Sequence, residues 1–192
     1  MRVIAGNFRS RLLQAPRGTS TRPTSDRLRE TLFNVLGERV PGSRFADLYA
    51  GSGAVGIEAI SRGAADVVFA EKGTAALAII RANLRSLGIA GGYSIDAAGV
   101  SALLRKGIGK PFDVVFLDPP YEDAEEYRRT LAALGSPASP LLHERSMVIA
   151  EHARRQPLLD RYGVLARTRT LLQGDASLSF YVVEKELPPL VE

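Results

Sequence analysis

The chain of 192 residues contains no cysteine, no tryptophan and only two histidines. The absence of cysteine excludes disulfides and thiolate metal sites, and it is typical of a protein from a reducing compartment such as the cytoplasm. His143 and His152 have no supporting ligand spacing around them, so no metal site is expected. No apolar run approaches the ~20 residues that a membrane helix needs, and no signal peptide is visible, so the sequence predicts a soluble cytoplasmic protein without a membrane partner.

Positive charge is concentrated near the start of the chain, although the formal net charge is only +4. Residues 1–30 contain seven arginines against Asp26 and Glu30, a net charge of +5, which leaves −1 for the remainder. Arginine suits phosphate forks and base stacking, so a basic arm of this kind indicates an anionic polymer as partner, most simply a nucleic acid. A solvated charged surface is the alternative interpretation.

A glycine-rich turn lies in the stretch FADLYAGSGAVGIEA at 45–59 and reads as a buried strand, a tight turn and the start of a helix. Gly51, Gly53 and Gly56 fit the pattern G-x-G-x-x-G, in which glycine lets a ligand approach the backbone and the helix N-terminus. Glu71 follows about twenty residues later, where an acid that binds a ribose is expected. The pattern therefore predicts a cofactor that contains adenosine.

Asp47 distinguishes between two such cofactors. It precedes the first glycine by four positions, so its carboxylate should lie close to the bound ligand. A pyrophosphate would be repelled there, by on the order of several kcal/mol at partly buried distances. S-adenosylmethionine carries a sulfonium and an ammonium but no phosphate, so Asp47 favours it over a nicotinamide dinucleotide. An aspartate that merely ends a strand or caps a turn is the other interpretation.

Short apolar runs alternate with helix-like segments from Arg44 onward, which is the pattern of a doubly wound α/β domain. The predicted sheet is Rossmann-like, mostly parallel and seven-stranded, and it ends in an antiparallel pair around a turn at Gly174 and Asp175. The expected strands span 44–50, 66–71, 93–95, 112–117, 146–151, 164–172 and 178–184. Ligands are expected at the carboxyl ends of the parallel strands.

A small extension is predicted ahead of this domain. Residues 2–15 read as a hairpin of two short strands around a Gly-Asn turn, and a helix is expected to begin at Thr24 or Ser25. The sequence thus divides into a basic hairpin-plus-helix extension at 1–42, suited to binding nucleic acid, and a larger domain at 43–192.

The fourth strand runs directly into Asp118-Pro119-Pro120-Tyr121. Two prolines stop the strand and stiffen the turn, because neither can donate a ladder hydrogen bond. Asp118 and the Pro119 carbonyl can accept the hydrogens of an exocyclic amine while Tyr121 stacks on the base. Such a turn suits amine methylation by positioning and electrostatics, with the target base drawn out of its stack. An ordinary loop that ends a strand is the alternative.

Three stretches resemble a known enzyme family. DLYAGSGAVGIEA resembles motif I of the class I S-adenosylmethionine-dependent methyltransferases, and DPPY resembles their amino-methylating motif IV. RPTSDRLRETLFNVL, preceded by RVIAGNFRSRLL, is similar to the bacterial RsmD family. The resemblance extends from Arg2 to the GDASLSFY segment. It implies a class I methyltransferase fold and methyl transfer to N2 of a guanine in small-subunit (16S) ribosomal RNA.

The resemblance also implies a role for each matching residue. Asp47, Gly51 and Gly53 would contact the methionine end of the cofactor, Glu71 the ribose, and Asp96 the adenine amine. The cofactor site as predicted consists of Asp47, Tyr49, Gly51, Ser52, Gly53, Glu71, Lys72, Asp96 and Ala97. The catalytic turn consists of Asp118, Pro119, Pro120 and Tyr121. The residues expected to face RNA are Arg9, Arg11, Arg22, Arg27 and Arg29.

Two segments depart from the family pattern. The Lys72-Gly73 pair is less like the polar run that usually follows the ribose-binding acid, and GGYSIDAAG differs from the more typical glycine-aspartate at the third strand. Asp96 can therefore also be read as an exposed acid at the end of a strand.

Other functions remain open at this stage. An adenine-N6 methyltransferase on DNA or RNA needs the same amine acceptors, and a ribosomal RNA-binding assembly factor could keep the fold without catalysis. A nicotinamide oxidoreductase would bind NAD instead. Naked RNA and the assembled small subunit are alternative substrates, and nothing in the sequence demands more than a monomer.

Overall fold

The computed structural model describes residues 1–15, 25–106, 109–119 and 123–184, and it contains one eight-stranded sheet flanked by helices. The strands are β1 Arg44–Leu48, β2 Asp66–Ala70, β3 Tyr93–Asp96, β4 Phe112–Leu117, β5 Leu142–Ala153, β6 Arg161–Tyr162, β7 Leu165–Gln173 and β8 Ala176–Val183. The helices are α1 Asp26–Leu36, α2 Ala54–Ser61, α3 Thr74–Ser86, α4 Val100–Lys106 and α5 Ala124–Leu134. Within these residues no helix is both long and apolar enough to cross a membrane.

The strand order is β3-β2-β1-β4-β5-β8-β7-β6. The first five strands in this order are parallel, and β8, β7 and β6 continue the sheet with antiparallel pairing. This confirms the doubly wound, mostly parallel fold with its antiparallel end. The predicted number of seven strands was wrong by one, because the short strand β6 pairs with the start of β7. A strand of two residues leaves no hydrophobic pattern that a sequence reading could detect.

Two hydrophobic layers hold the sheet. Phe45, Phe69 and Phe116 lie on the face covered by α1, α2 and α3, whereas Val115 and Leu117 lie on the face covered by α4 and α5. Both faces of β1, β2 and β4 are therefore buried, which explains why these strands are nearly continuous apolar runs in the sequence. The charged residues at their carboxyl ends are the exceptions to this pattern.

The N-terminal segment pairs with itself as predicted, although the pairing is too short to form regular strands. Arg2 and Leu12 form an antiparallel β-bridge, and the backbone NH groups of Val3 and Leu13 donate to the Arg11 and Met1 carbonyls, both at 3.0 Å. The backbone NH groups of Ile4 and Ala5 donate instead to the Glu58 carboxylate of α2, at 2.7 and 3.0 Å. The pairing is therefore short, because the segment also satisfies its backbone groups on α2.

Gly6 shows how closely this segment approaches α2. Its φ of +79° favours glycine, and a Cβ built there would lie 1.9 Å from the Ser61 carbonyl oxygen. The adjacent backbone NH of Asn7 donates to the same carbonyl at 2.8 Å. The predicted turn is thus present, and its glycine is required by contact with α2.

Helix α1 begins as expected with Ser25 as its N-cap, since the Ser25 hydroxyl accepts from the Leu28 backbone NH at 3.1 Å. The buried side of α1, which includes Leu32 and Phe33, belongs to the same hydrophobic cluster as Phe45 and Ile57 of the main sheet layer. The described part of residues 1–42 therefore shares its core with the rest of the molecule.

Candidate active site

The parallel strands bring most of the predicted site residues to one edge of the sheet. Leu48 pairs with both Ala70 and Leu117, and Ala70 pairs with Asp96. The chain segments that follow β1, β2, β3 and β4 therefore emerge side by side. The residues so assembled are the glycine turn at 49–53, Glu71, Lys72, Asp96, Ala97, Asp118 and Pro119.

The glycine turn has the backbone that its sequence predicts. Tyr49, Gly51 and Gly53 have φ values of 62°, 53° and 75°, and Gly53 is the N-cap of α2. Gly56 plays a different part, because a Cβ at that position would lie 2.3 Å from the Phe69 ring. Because Gly56 has no Cβ, α2 packs closely against β2, and the helix N-terminus lies at the edge of the sheet.

Asp47 lies beneath this turn and is only 2% exposed. Its Oδ2 accepts a 2.8 Å hydrogen bond from the backbone NH of Gly56. Burial raises the pKa of Asp47 to about 8, an effect that the hydrogen bond from Gly56 partly offsets and that the charge of Glu71 increases. A cation beside this carboxyl group would favour its ionised form, whereas a pyrophosphate would oppose it.

Glu71 holds two turns together. Its Oε2 accepts from the backbone NH of Gly51 at 2.9 Å, and its Oε1 accepts from the backbone NH of Gly73 at 2.7 Å. Each carboxylate oxygen has a further lone pair, so these bonds leave capacity for a ribose hydroxyl. Its contact with a cofactor stays a prediction.

The remaining predicted cofactor residues occupy different surroundings. Asp96 accepts from the backbone NH of Ala98 at 2.9 Å and so forms a local turn. Ala97 and Lys72 are exposed. A Cβ built at Gly99 would lie 3.1 Å from the Lys72 Cβ. The structure therefore brings Lys72 and the turn after β3 together, and a contact of Asp96 with a cofactor stays a prediction.

Tyr49 and Ser52 make contacts within the protein. The Tyr49 hydroxyl donates to Glu126 Oε1 at 2.8 Å and lies 2.6 Å from the Thr130 hydroxyl, both on α5. Burial raises the pKa of Tyr49 above its usual range. Ser52 is buried, and its carbonyl accepts from Asn83 Nδ2 at 3.0 Å. These bonds fix the glycine turn against α5 and α3.

Asp118 follows the last residue of β4, and its backbone NH lies 3.4 Å from the Leu48 carbonyl. Its pKa is raised well above the usual range, first by burial and then by the charges of Glu151 and Asp47. Of the other catalytic candidates, Pro119 is buried, whereas Pro120 and Tyr121 lie outside the described residues. A carboxyl group among like charges is typical of a functional site.

Two residues that the sequence reading missed lie beside Asp118. Glu151, on β5, is 2% exposed, and the Tyr127 hydroxyl on α5 lies 3.1 Å from the Pro119 carbonyl and 2.8 Å from the Glu151 carbonyl. Glu151 ends the apolar run MVIAE, the same strand-then-acid pattern that identified Glu71 and Asp118. Tyr127 left no comparable signal, because its partners come from other elements.

The predicted RNA-facing arginines divide into three groups. Arg9, Arg11 and Arg27 are exposed, and Arg22 lies outside the described residues. The prediction that Arg29 faces RNA is wrong, because Arg29 is fully buried. Its guanidinium donates to the Arg2 carbonyl and to Asp26. Its Nε also lies 3.8 Å from the buried Glu58 carboxylate. Arg29 therefore secures α1 inside the protein and is unavailable to RNA.

Comparison with known proteins gives consistent results for the whole chain. The family described as "Conserved hypothetical protein 95" matches residues 1–182. The "Putative rRNA methyltransferase YlbH" of Bacillus subtilis is 37% identical over 185 residues, which cover 94% of this chain and 98% of that protein. The "Ribosomal RNA small subunit methyltransferase D" of Buchnera aphidicola is 31% identical over 159 residues, covering 82% and 80% of the two chains.

Among solved structures, "Putative methyltransferase yhhF from Escherichia coli" superposes with a TM-score of 0.83 at 28% sequence identity. The match covers 97% of this chain and 99% of that one. The N-terminal segment and the antiparallel end of the sheet therefore fall within the shared architecture, together with the parallel strands and the glycine turn.

Proposed function

Because this chain belongs to the RsmD family of methyltransferases, we propose that it transfers a methyl group from S-adenosylmethionine to the exocyclic N2 amine of a guanine in 16S ribosomal RNA. It is a class I methyltransferase in fold, and its relatives act on ribosomal RNA. The observation that carries the proposal is the placement of Asp47 and Asp118. Asp47 pairs in register with Phe116 of β4, and Asp118 lies two residues beyond Phe116, directly after that strand.

The residues at the carboxyl edge fit a cationic methyl donor. A sulfonium or an ammonium beside Asp47 would favour the ionised carboxylate, which burial alone disfavours, and the glycine turn leaves the backbone accessible. When bound, S-adenosylmethionine supplies an electrophilic methyl group. Asp47, Gly51 and Gly53 would hold its methionine end, and Glu71 and Asp96 its nucleoside, with Tyr49, Ser52, Lys72 and Ala97 around them.

The turn after β4 prepares the amine. The lone pair of the guanine N2 amine is delocalised into the ring, which makes the amine a poor nucleophile. The amine becomes a better nucleophile when Asp118 and the Pro119 carbonyl accept its hydrogens. Tyr121 would stack on the base and fix its plane. The nitrogen loses one proton as it gains the methyl group, and the raised pKa of Asp118 suits its carboxylate to accept that proton.

The basic segment at 1–42 would hold the RNA. Arg9, Arg11 and Arg27 are exposed on it, and Arg22 belongs to the same stretch of sequence. Their charges would bind phosphates, while the domain at 43–192 carries out the transfer. In this proposal the enzyme works in the cytoplasm as a monomer, on 16S ribosomal RNA within the assembling or assembled small subunit.

Transfer of a labelled methyl group from S-adenosylmethionine to purified small subunits and to free 16S RNA tests the proposal. Mass spectrometry of the digested RNA should show new N2-methylguanosine. New N6-methyladenosine would favour the adenine methyltransferase, and RNA binding without any transfer would favour a silent assembly factor. Absence of both transfer and RNA binding would contradict the proposal altogether.

A further inference from the structure

A pair of arginines lies directly after β5, at the same edge of the sheet as the candidate active site. Leu117, the last residue of β4, pairs with Ala150, so β5 continues for three residues past β4 to Ala153. At about 3.3 Å per residue, this extension places the next residues roughly 10 Å beyond the end of β4. Those residues are Arg154 and Arg155, and both are exposed.

The backbone that carries these arginines is held at several points. The Arg154 backbone NH donates to the Asp175 carbonyl at 2.8 Å, and the Gln156 backbone NH donates to the Ala153 carbonyl at 2.9 Å. His152 is buried. Its Nδ1 lies 2.9 Å from the Gln156 carbonyl, and its Nε2 lies 2.9 Å from the Ser179 hydroxyl. The turn is therefore preorganised, although it contains no regular secondary structure.

The charge of this pair is not neutralised by the described part of the chain. Neither Arg154 nor Arg155 forms an ion pair with a described residue, whereas the exposed Arg128 and Arg129 on α5 both approach Glu125, at 2.5 and 3.8 Å. An arginine already paired with a carboxylate gains less from a phosphate than one that faces water. Two adjacent guanidinium groups that form no ion pair with the described residues suit the phosphates of a nucleic acid backbone.

A chain of contacts connects this turn to the basic N-terminal segment. In the β7–β8 hairpin, the Asp175 carbonyl accepts from the Arg154 backbone NH. Gln173 Oε1 of the same hairpin accepts from the Thr31 hydroxyl of α1 at 3.0 Å. The Thr31 hydroxyl also lies 3.1 Å from the Arg27 carbonyl, one helical turn earlier. Exposed Arg27 and the Arg154–Arg155 pair therefore flank the same hairpin.

We propose that Arg154 and Arg155 form a second RNA-contact surface, which binds backbone phosphates beside the base that enters the active site. This inference rests on the proposed function, since it takes ribosomal RNA as the ligand. A base leaves its stack more readily when the strand on either side is held, and contacts to phosphate fix position without reading sequence. The N-terminal segment would hold the RNA on one side and this rigid turn would hold it on the other.

The double variant Arg154→Ala/Arg155→Ala tests the inference against Arg105→Ala/Lys106→Ala. The control pair is also exposed and lacks an ion pair with described residues, but it ends α4 at the opposite edge of the sheet. Affinity for a 16S RNA fragment would be measured over a series of salt concentrations, together with S-adenosylmethionine affinity and thermal unfolding. We expect the first variant to lose on the order of 10-fold in RNA affinity, with a salt slope lower by about 1 to 2.

The control should retain the wild-type slope, and both variants should bind the cofactor normally. An equal loss in the two variants, or an unchanged slope in the first, would overturn the proposed surface. If the double variant fails to fold, Arg154→Gln and Arg155→Gln taken singly should each lower the slope by about half as much. Failure of the wild-type protein to methylate RNA would instead count against the proposed function, so the two failures can be told apart.

Discussion

Carboxylates are buried in two regions of this protein, and their surroundings differ. Beneath the N-terminal segment, Glu58 accepts from two backbone NH groups and forms an ion pair with Arg62 at 2.8 Å, with the Arg29 guanidinium at 3.8 Å. We call this the Glu58 cluster. At the active-site edge, Asp47, Asp118 and Glu151 approach one another, and we call them the acidic edge.

The difference separates a structural role from a functional one. In the Glu58 cluster the protein supplies cations and donors to its own buried charge, so the cluster fastens the N-terminal segment to α2. At the acidic edge, burial and like charges raise the pKa values of both aspartates. A positively charged ligand would relieve that repulsion, which is why the edge suits a sulfonium cofactor.

The largest effect on stability is expected from Glu58→Ala. The substitution leaves the buried Arg29 and the partly buried Arg62 without their shared carboxylate, and breaking a buried ion pair costs about 3–5 kcal/mol. Chemical denaturation should show this loss. Glu125→Ala, which breaks an exposed ion pair with Arg128, should have a much smaller effect, because water screens that pair. Equal losses would remove the distinction between the Glu58 cluster and an ordinary surface pair.

Asp118→Asn should have the largest effect on turnover. Loss of the charged acceptor is expected to lower kcat by about 10² to 10³, the range for removal of one electrostatic contact in a transition state. Cofactor affinity should change little. Asp113→Asn provides a control on the same strand, since Asp113 lies at the opposite end of β4 and accepts from the Arg44 backbone NH at 2.7 Å. Methyl transfer by Asp118→Asn at the wild-type rate would refute its role.

Local sequence patterns were sufficient for the parts of the site that follow strands. The glycine turn, Glu71 and Asp118 each come after an apolar run, so the parallel order of the strands alone brings them together. Glu151 follows the same rule and could have been predicted from the acid that ends MVIAE. The mostly parallel sheet and its antiparallel end were predicted for the same reason, since both depend on runs and turns that can be read locally.

Long-range contacts explain what the sequence did not predict. Residues 4 and 5 donate to Glu58 across more than fifty positions, which shortens the expected hairpin to a bridge with a few flanking bonds. Arg29 was assigned to RNA because of its charge. However, Arg29, Phe33 and Leu36 have the i, i+4, i+7 spacing of a buried helical stripe, and that spacing was the available signal. Tyr127 is a core tyrosine by pattern, and its contacts with two carbonyls connect it to the site.

Asp47→Asn tests the acidic edge through pH. The pKa of Asp47 in the folded protein, about 8, lies above its ordinary value of 3.8. Between about pH 4 and pH 8 the folded protein therefore holds a proton on Asp47 that the unfolded chain has lost, so wild-type stability falls as the pH rises from about 4 to 8. Asparagine can still accept from the Gly56 NH but carries no charge. The variant should therefore be more stable above pH 8, by about 1–2 kcal/mol, and should bind S-adenosylmethionine more weakly.

Thermal unfolding across this pH range, with cofactor titration at each pH, would measure both effects. Asp66→Asn is the control, since Asp66 is half-exposed and paired with Arg44 at 2.9 Å. The Asp66→Asn variant should show no gain in stability that grows with pH. A stability difference for Asp47→Asn that stays constant from pH 5 to pH 9 would show that Asp47 is not a buried charge that destabilises the fold.

Tyr127→Phe is expected to have the smallest effect, and it tests whether the turn after β4 needs an anchor. Its hydroxyl contacts the Pro119 and Glu151 carbonyls, and losing it should cost about 1 kcal/mol of stability. Tyr181→Phe should cost a similar amount, because the Tyr181 hydroxyl donates to the Leu159 carbonyl at 2.9 Å, away from the site. Only Tyr127→Phe should also lower kcat, by roughly 10-fold, since an acceptor misplaced by a fraction of an ångström aligns the amine poorly. If both variants lower kcat equally, the effect belongs to general stability, and Tyr127 does not position the catalytic turn.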